Sequence, residues 1–253
     1  MGTTAPAPSA DTERKRKNMN AFEHFGPEHT LTLLFIMAAV SAGLVLSRNL
    51  SDVKAVALAR ILSFAALFGE TLQDLLLIRD GGDIMGFLPL HLCNLGIFVN
   101  LAASFSHGKV RRFFSEISLL LIMPGAAGAL LFPDWNYRPF WSYLPILCFL
   151  THSLTVFIPL LLLVKKKVSV SASHFWYHML FLLIVTPPVY FLDRMAGTNY
   201  MFLNFPPEGS PLQWIYGITG DKFYLLGLSV LVILILIAEY AVCFLARKIF
   251  SRR

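Results

Sequence analysis

The chain has 253 residues, of which 56% are hydrophobic and only 14% charged, and its mean hydropathy is +0.64. A soluble domain needs about 25% charged residues to meet water over its surface, so this composition excludes a water-soluble globular domain and places the chain in a membrane. The 22 Phe and 8 Tyr exclude disorder as the main state, and three cysteines make no disulfide framework.

Residues 1–20 are small and polar, end in Arg14-Lys15-Arg16-Lys17, and read as a disordered tail. No removable signal peptide is expected, because the first apolar run starts near residue 30 without a small-residue cleavage pattern. The rest, 21–253, reads as one transmembrane helical domain. Seven apolar runs (30–47, 53–77, 84–105, 113–132, 140–164, 174–192 and 223–246) each approach the ~20 residues needed to cross a ~30 Å hydrocarbon layer. They are too long and too evenly apolar for barrel strands. The expected fold is all-α, a polytopic bundle of about seven transmembrane helices.

The net charge of +6 calls for no nucleic acid, because the basic residues flank the apolar runs. The loops after runs 1, 3 and 5, with the C-terminus, carry 12 Lys and Arg, whereas the loops after runs 2, 4 and 6 carry 4. This bias predicts a cytoplasmic C-terminus. The four basic residues of the tail oppose it.

Ionisable groups inside a membrane cost ~3 kcal/mol each on insertion scales and mark pairs, cavities or reaction sites. In the second run Arg60, Ser63, Glu70, Thr71 and Asp74 fall within about a third of a helix circumference. They form either an internally paired stripe, with Arg60 or another cation neutralising the acids, or a cavity wall. The third run opens Leu88-Pro89-Leu90-His91-Leu92-Cys93-Asn94, where Pro89 sits in a first turn or breaks the helix. His91 and Asn94 share a face by i,i+3 spacing. In the fifth run Cys148 and His152 are i,i+4 neighbours; in the sixth, so are His174 and His178, which have no acidic companion nearby in sequence. Glu116 is expected to pair with the basic loop around 109–112. No metal site and no cofactor are expected.

Because successive helices alternate in direction, Glu70, Asp74, His91, Asn94, His152, Asn199 and Tyr200 all fall in one half of the membrane, away from the cytoplasm by the charge bias. The expectation is a polar pocket open to one leaflet, capped by the loop at 135–138 and the long segment 199–221.

Three segments, Phe25-Gly26-Pro27-Glu28-His29, Leu88-Pro89-Leu90-His91-Leu92-Cys93-Asn94 and Asn199-Tyr200-Met201-Phe202-Leu203, resemble the YwaF-like integral membrane proteins in order and spacing. That family is distantly similar to a vertebrate acyltransferase acting on ether phospholipids, and further off to androgen-induced membrane hydrolases of fatty-acid esters. The resemblance implies a Cys or Thr nucleophile and a His on another helix. His152 matches the catalytic His and His91 a His that follows the nucleophile, but the nucleophile's own position is Leu90, which cannot attack an ester. Cys93, one turn on, Cys148, beside His152, or no covalent catalysis at all are the alternatives this leaves open.

The leading functional expectation is a lipid-modifying membrane enzyme, an acyltransferase or acyl-ester hydrolase whose partner is a membrane phospholipid or acyl ester. Cys93 would serve as nucleophile, His152 as base and His91 as a positioning or polarising group; Asn94, Glu70, Asp74, Arg60, Asn199 and Tyr200 would line the substrate site. The competing expectation is a transporter or ligand-binding protein, with Arg60, Glu70, Asp74 and the histidines lining a path.

Overall fold

In a hydrocarbon layer an apolar stretch satisfies its backbone only by coiling on itself, and the computed structural model, which describes residues 22–135 and 138–250, is built of helices joined by irregular connections. The helices are α1 (Pro27–Ser47), α2 (Asp52–Arg79), α3 (Leu92–Phe105), α4 (Gly108–Leu131), α5 (Tyr143–Val164), α6 (Phe175–Ala196) and α7 (Leu212–Phe250). Six are long and apolar enough to cross a membrane; the exception is α3, with 14 residues. The predicted tail at 1–20 lies outside the described residues, as do Asn136 and Tyr137 of the predicted capping loop.

The third apolar run is where expectation and structure part. Its first half forms no α-helix: a single 3-10 turn, Ile84–Gly86, leads through irregular backbone to His91, and α3 starts only at Leu92. Pro89 disfavours helical geometry in the residue before it, and no α-helix bridges that point. The long connection after the sixth run is also shorter than expected. Helix α6 continues to Ala196 and ends on Gly197 in the left-handed conformation (φ 70°), while α7 begins at Leu212 and kinks at Gly220 (φ 61°, ψ 178°).

The chain runs up and down. At one end Lys165 Nζ donates to the Leu50 carbonyl at 2.6 Å and Lys167 pairs with Asp52 at 2.5 Å. There too, Arg60 Nε donates to the Ser104 carbonyl at 3.2 Å. The α1–α2, α3–α4 and α5–α6 connections therefore gather at one basic end. At the opposite end the rings of Phe22, Trp135, Phe140 and Phe149 cluster with Leu77 and Leu130. There the Tyr143 hydroxyl and Arg79 both donate to Asp80, and these bonds hold its carboxyl below the ordinary range. Their contribution is present above the unfolded-state value and is lost as the pH falls through the lowered one.

Helices α4 and α5 form the centre: 56% and 44% of their apolar windows are buried, against 6% for α1 and for α7. Leu119, Leu120, Leu121 and Ile122 pack there with Ile158, Leu161 and Leu162. Residues Ser118–Ile122 are wound as a π-helix directly before Pro124. Proline cannot donate to the carbonyl four residues back and its ring crowds it, and a wider turn relieves that conflict. The same turn brings Ile122 against Gly96 of α3, where an added Cβ would lie 2.2 Å from Ile122 Cγ2. Close approach of small residues is how membrane helices gain packing energy without a hydrophobic drive between them.

Gly96→Ala should therefore lower the thermal unfolding midpoint of the detergent-purified protein, at a cost of about 1–3 kcal/mol for overpacking. Adding Ile122→Ala, which removes the clashing methyl, should recover part of the loss. An unchanged midpoint for Gly96→Ala alone would refute the close contact.

Candidate functional site

At about 1.5 Å per residue the 14 residues of α3 rise only about 21 Å, short of a ~30 Å hydrocarbon layer. With its C-terminal end among the basic connections, its first turn falls at depth inside the bundle. That turn carries Leu92, Cys93 and Asn94. Its N-cap is His91, in extended backbone (φ −63°, ψ 149°) with no side-chain capping bond. The backbone N–H groups of a first turn have no acceptor within the helix, so α3 presents donors and a partial positive charge where Cys93 sits.

Facing this turn are α2 and α5. Glu70, Cys93, Asn94, Ile97, Thr151, His152 and Thr155 line a narrow cleft with about 150 Å³ of empty space and no room for a separate water molecule. Asn94 Nδ2 donates to Glu70 Oε1 at 2.6 Å, and the Cys93 thiol donates to Asn94 Oδ1 at 3.1 Å. A continuous chain of bonds thus joins the thiol to the carboxylate through one amide. On α5, His152 Nδ1 lies 2.8 Å from the Cys148 carbonyl oxygen. A carbonyl only accepts, so Nδ1 carries a proton, and in the neutral ring Nε2 then holds the lone pair. Cys148 Sγ is 3.4 Å from that same Nδ1. The Cys93 thiol also lies within interaction range of the His152 ring, and Glu70 is near enough to act on it electrostatically. Glu70, Asn94 and His152 are each at most 9% exposed.

The sequence-predicted residues divide. Cys93, Asn94, Glu70 and His152 come together, and Asp74 lies one turn from Glu70, close enough to feel its charge. His91 does not share Asn94's face, because it precedes the helix. Its Nδ1 accepts from the Met201 N–H at 3.3 Å, and its ring packs against Tyr200 and Phe202. Arg60 is at the basic end, with its guanidinium 4.5 Å from the Phe105 ring centroid, and does not neutralise Glu70 or Asp74. Asn199 spends its side chain on its own loop, accepting from the Asn204 and Phe205 N–H groups and donating to the Phe205 carbonyl. Glu116 Oε1 bonds His174 Nδ1 at 2.7 Å and its backbone carbonyl meets His178 Nε2 at 3.3 Å, so the histidines at the start of α6 do have an acid beside them, supplied by α4. Among the described residues no three His, Cys, Asp or Glu side chains converge as metal ligands.

Sequence reasoning missed Thr151 and Ile97 as lining residues, which i,i+4 spacing from Thr155 and from Cys93 flags. It also placed Tyr200 in a binding role, whereas its hydroxyl is a clamp, donating to the Met85 carbonyl at 2.6 Å and accepting from the Leu88 N–H at 2.8 Å. Burial pushes this phenol above its ordinary value, so it stays a donor. Asp193 holds the clamp in place by accepting from the Tyr200 N–H and the Thr198 hydroxyl. Leu90 turns into the Val189, Tyr200 and Leu203 cluster, away from the cleft.

Tyr200→Phe leaves two backbone groups of the 84–88 segment without their partner, at about 1–3 kcal/mol each where water is absent. The expected outcome is a lower unfolding midpoint and faster limited proteolysis within 84–91. Wild-type protection in both assays would show that the clamp is dispensable.

The described residues contain six membrane-length helices, which make the chain an integral, multi-pass membrane protein. Neither the curated proteins nor the solved structures contain a significant match to it. The TMEM164 family model matches residues 24–240, from the segment before α1 into α7 and across every residue of the cleft, and the chain belongs to the TMEM164 family.

Proposed function

We propose that the protein is a lipid-modifying enzyme that transfers or hydrolyses acyl esters, with Cys93 as nucleophile and His152 as base. The observation that carries this reading is the meeting, in one cleft, of a thiol at the first turn of α3 with an imidazole of α5 whose Nδ1 is held by a carbonyl, so that in the neutral ring Nε2 can take a proton. The likeness to YwaF-like proteins, and more distantly to acyltransferases and ester hydrolases, supports the same chemistry. Leu90, at the relatives' nucleophile position, faces an apolar cluster, while Cys93 lines the cleft.

In the proposed cycle the Cys93 thiol gives its proton to His152 and the sulfur attacks the ester carbonyl of a phospholipid. The developing oxyanion lies near the uncapped N–H groups of the α3 first turn. Collapse breaks the ester C–O bond, and the leaving lysolipid oxygen takes the proton back from His152. The second half mirrors the first: a lysolipid hydroxyl, or water, gives its proton to His152 and attacks the thioester, releasing the new ester or the free acid and restoring the thiol. Glu70, held by Asn94, stabilises the imidazolium that forms between these steps. The cleft is tight, so acyl chains enter only when the α3 turn and α5 side chains part.

By the charge bias we place this cleft in the non-cytoplasmic half, with the C-terminus cytoplasmic. Ligand binding without covalent chemistry is the second reading, favoured by the bond that ties the thiol to Asn94 and not to the imidazole in the closed cleft.

The purified protein, incubated with phospholipid carrying a labelled acyl chain, should lose activity by about 10³-fold or more with Cys93→Ala or His152→Ala, while Cys148→Ala should retain it. Activity that survives Cys93→Ala refutes the nucleophile. Uptake of a solute into proteoliposomes that vanishes with Asp74→Asn, without any acyl transfer, would establish transport instead.

A further inference from the structure

A second cleft opens at the basic end, far from Cys93 and His152. Its volume is about 250 Å³ and its lining is Asp52, Val53, Val56, Arg60, His107, Arg111 and Lys167. Arg60 and Glu70 are ten residues apart on α2, or about 15 Å along the axis. The two clefts are separate sites.

The cations here are arranged in an unusual way for internal pairing. Arg60 and Arg111 are both anchored through Nε, to the Ser104 and Ser106 carbonyls that end α3, at 3.2 and 2.8 Å. Each bond fixes a guanidinium plane and leaves its terminal nitrogens for another acceptor. Among the described residues neither arginine has a carboxylate within ion-pair distance; the one acid of the cleft, Asp52, is taken by Lys167. Counting Lys167, three cations and one carboxylate leave a charge of +2. His107 adds the N-cap of α4, where it makes no side-chain capping bond and leaves first-turn N–H groups without an acceptor. Fixed guanidinium forks beside a helix N-terminus match the oxygens of a phosphate.

The surroundings decide which phosphate. Val53, Val56, Arg60 and Phe64 follow one another at i+3 and i+4 steps, so a single stripe of α2 runs from the cleft along the outside of the bundle. Val53 is 79% exposed, Phe64 53% and Phe105, beside Phe64, 49%. Apolar side chains this exposed in a membrane protein meet lipid tails. We propose that the cleft binds the headgroup phosphate of an anionic phospholipid, gripped by Arg60, Arg111 and Lys167, with an acyl chain lying along the Val53–Phe64–Phe105 stripe. The site is independent of the chemistry proposed for Cys93.

The test is the thermal unfolding midpoint of the full chain in non-ionic detergent, titrated separately with phosphatidylglycerol, phosphatidylcholine and inorganic phosphate. A ligand bound only by the folded state raises the midpoint with its concentration. Phosphatidylglycerol should raise it, and the other two should not at equal concentration. Arg60→Gln and Arg111→Gln should each weaken the apparent affinity about tenfold, and the double variant should abolish the response. If the double variant does not fold, Arg111→Gln with Lys167→Gln tests the same grip without substituting a residue of α2. An equal response to phosphatidylcholine, or one retained in a folded double variant, overturns the proposal. A response to inorganic phosphate alone overturns its lipid part and makes the cleft a soluble-phosphate site.

Discussion

A helix of 14 residues cannot cross the hydrocarbon layer, and the arrangement of the candidate site follows from that shortfall in α3. Because the chain from 84 to 91 is not α-helical, its backbone groups need partners at a depth where water is scarce. Tyr200 supplies two of them, through Met85 and Leu88, and is itself fixed by Asp193. The same break gives α3 an N-terminus inside the protein, with donors that a continuous helix would have consumed. A thiol and an amide sit on that first turn, and the neighbouring helices bring to it a carboxylate, which the amide bonds, and an imidazole.

The polar groups at this depth are coupled in series. Thr155 donates to the Thr151 carbonyl, Thr151 to the Cys148 carbonyl, and His152 Nδ1 to that same Cys148 oxygen. One face of α5 therefore holds its polar side chains on its own backbone, which fixes the imidazole plane and the tautomer without help from a second helix. On the other side of the cleft, Glu70, Asn94 and Cys93 are joined across α2 and α3. Beyond both lies the packed apolar layer of Leu119–Ile122, Ile158 and Leu161. This layer counts against a polar route through the protein.

Much of the fold was legible because apolar length is so strong a signal: all seven runs contain helix, and the paired connections at the basic end match the clustering of Lys and Arg. The third run misled for a definite reason. Hydropathy reports what a segment is dissolved in and is silent on whether it is coiled, so Ile84–Leu90 reads as helix although only Pro89 marks the break. The helical projection of His91 onto Asn94 failed with it. The expected pairing of Arg60 with Glu70 and Asp74 failed because a stripe on one helix gives direction but not depth of partners: its guanidinium reaches a carbonyl at the C-terminal end of α3, about 15 Å along α2 from Glu70. The bond from Glu116 to His174 joins residues 58 apart, a distance at which no spacing rule operates. That Cys93, Asn94, Glu70 and His152 come together was legible because each is a polar residue in an apolar run, and such residues have few places to go.

The two clefts differ in how their charge is met, and this difference separates their chemistry. In the α2–α3–α5 cleft every strong group has a partner inside the protein: carboxylate with amide, amide with thiol, imidazole with carbonyl. A ligand there gains little from bringing a full charge, which would face the Glu70 carboxylate in a tight apolar frame. It gains more from a neutral carbonyl that acquires charge only as bonds change, beside donors already in position. At the basic end the guanidinium groups are held but, among the described residues, not paired with a carboxylate, so the partner proposed for them is a permanent anion. A phospholipid carries both features, an ester carbonyl and a phosphate, but the ~15 Å of helix between Arg60 and Glu70 puts them too far apart to be engaged in one headgroup. The proposed reaction and the proposed anion grip therefore act on different lipid molecules, one at depth inside the bundle and one at its basic end.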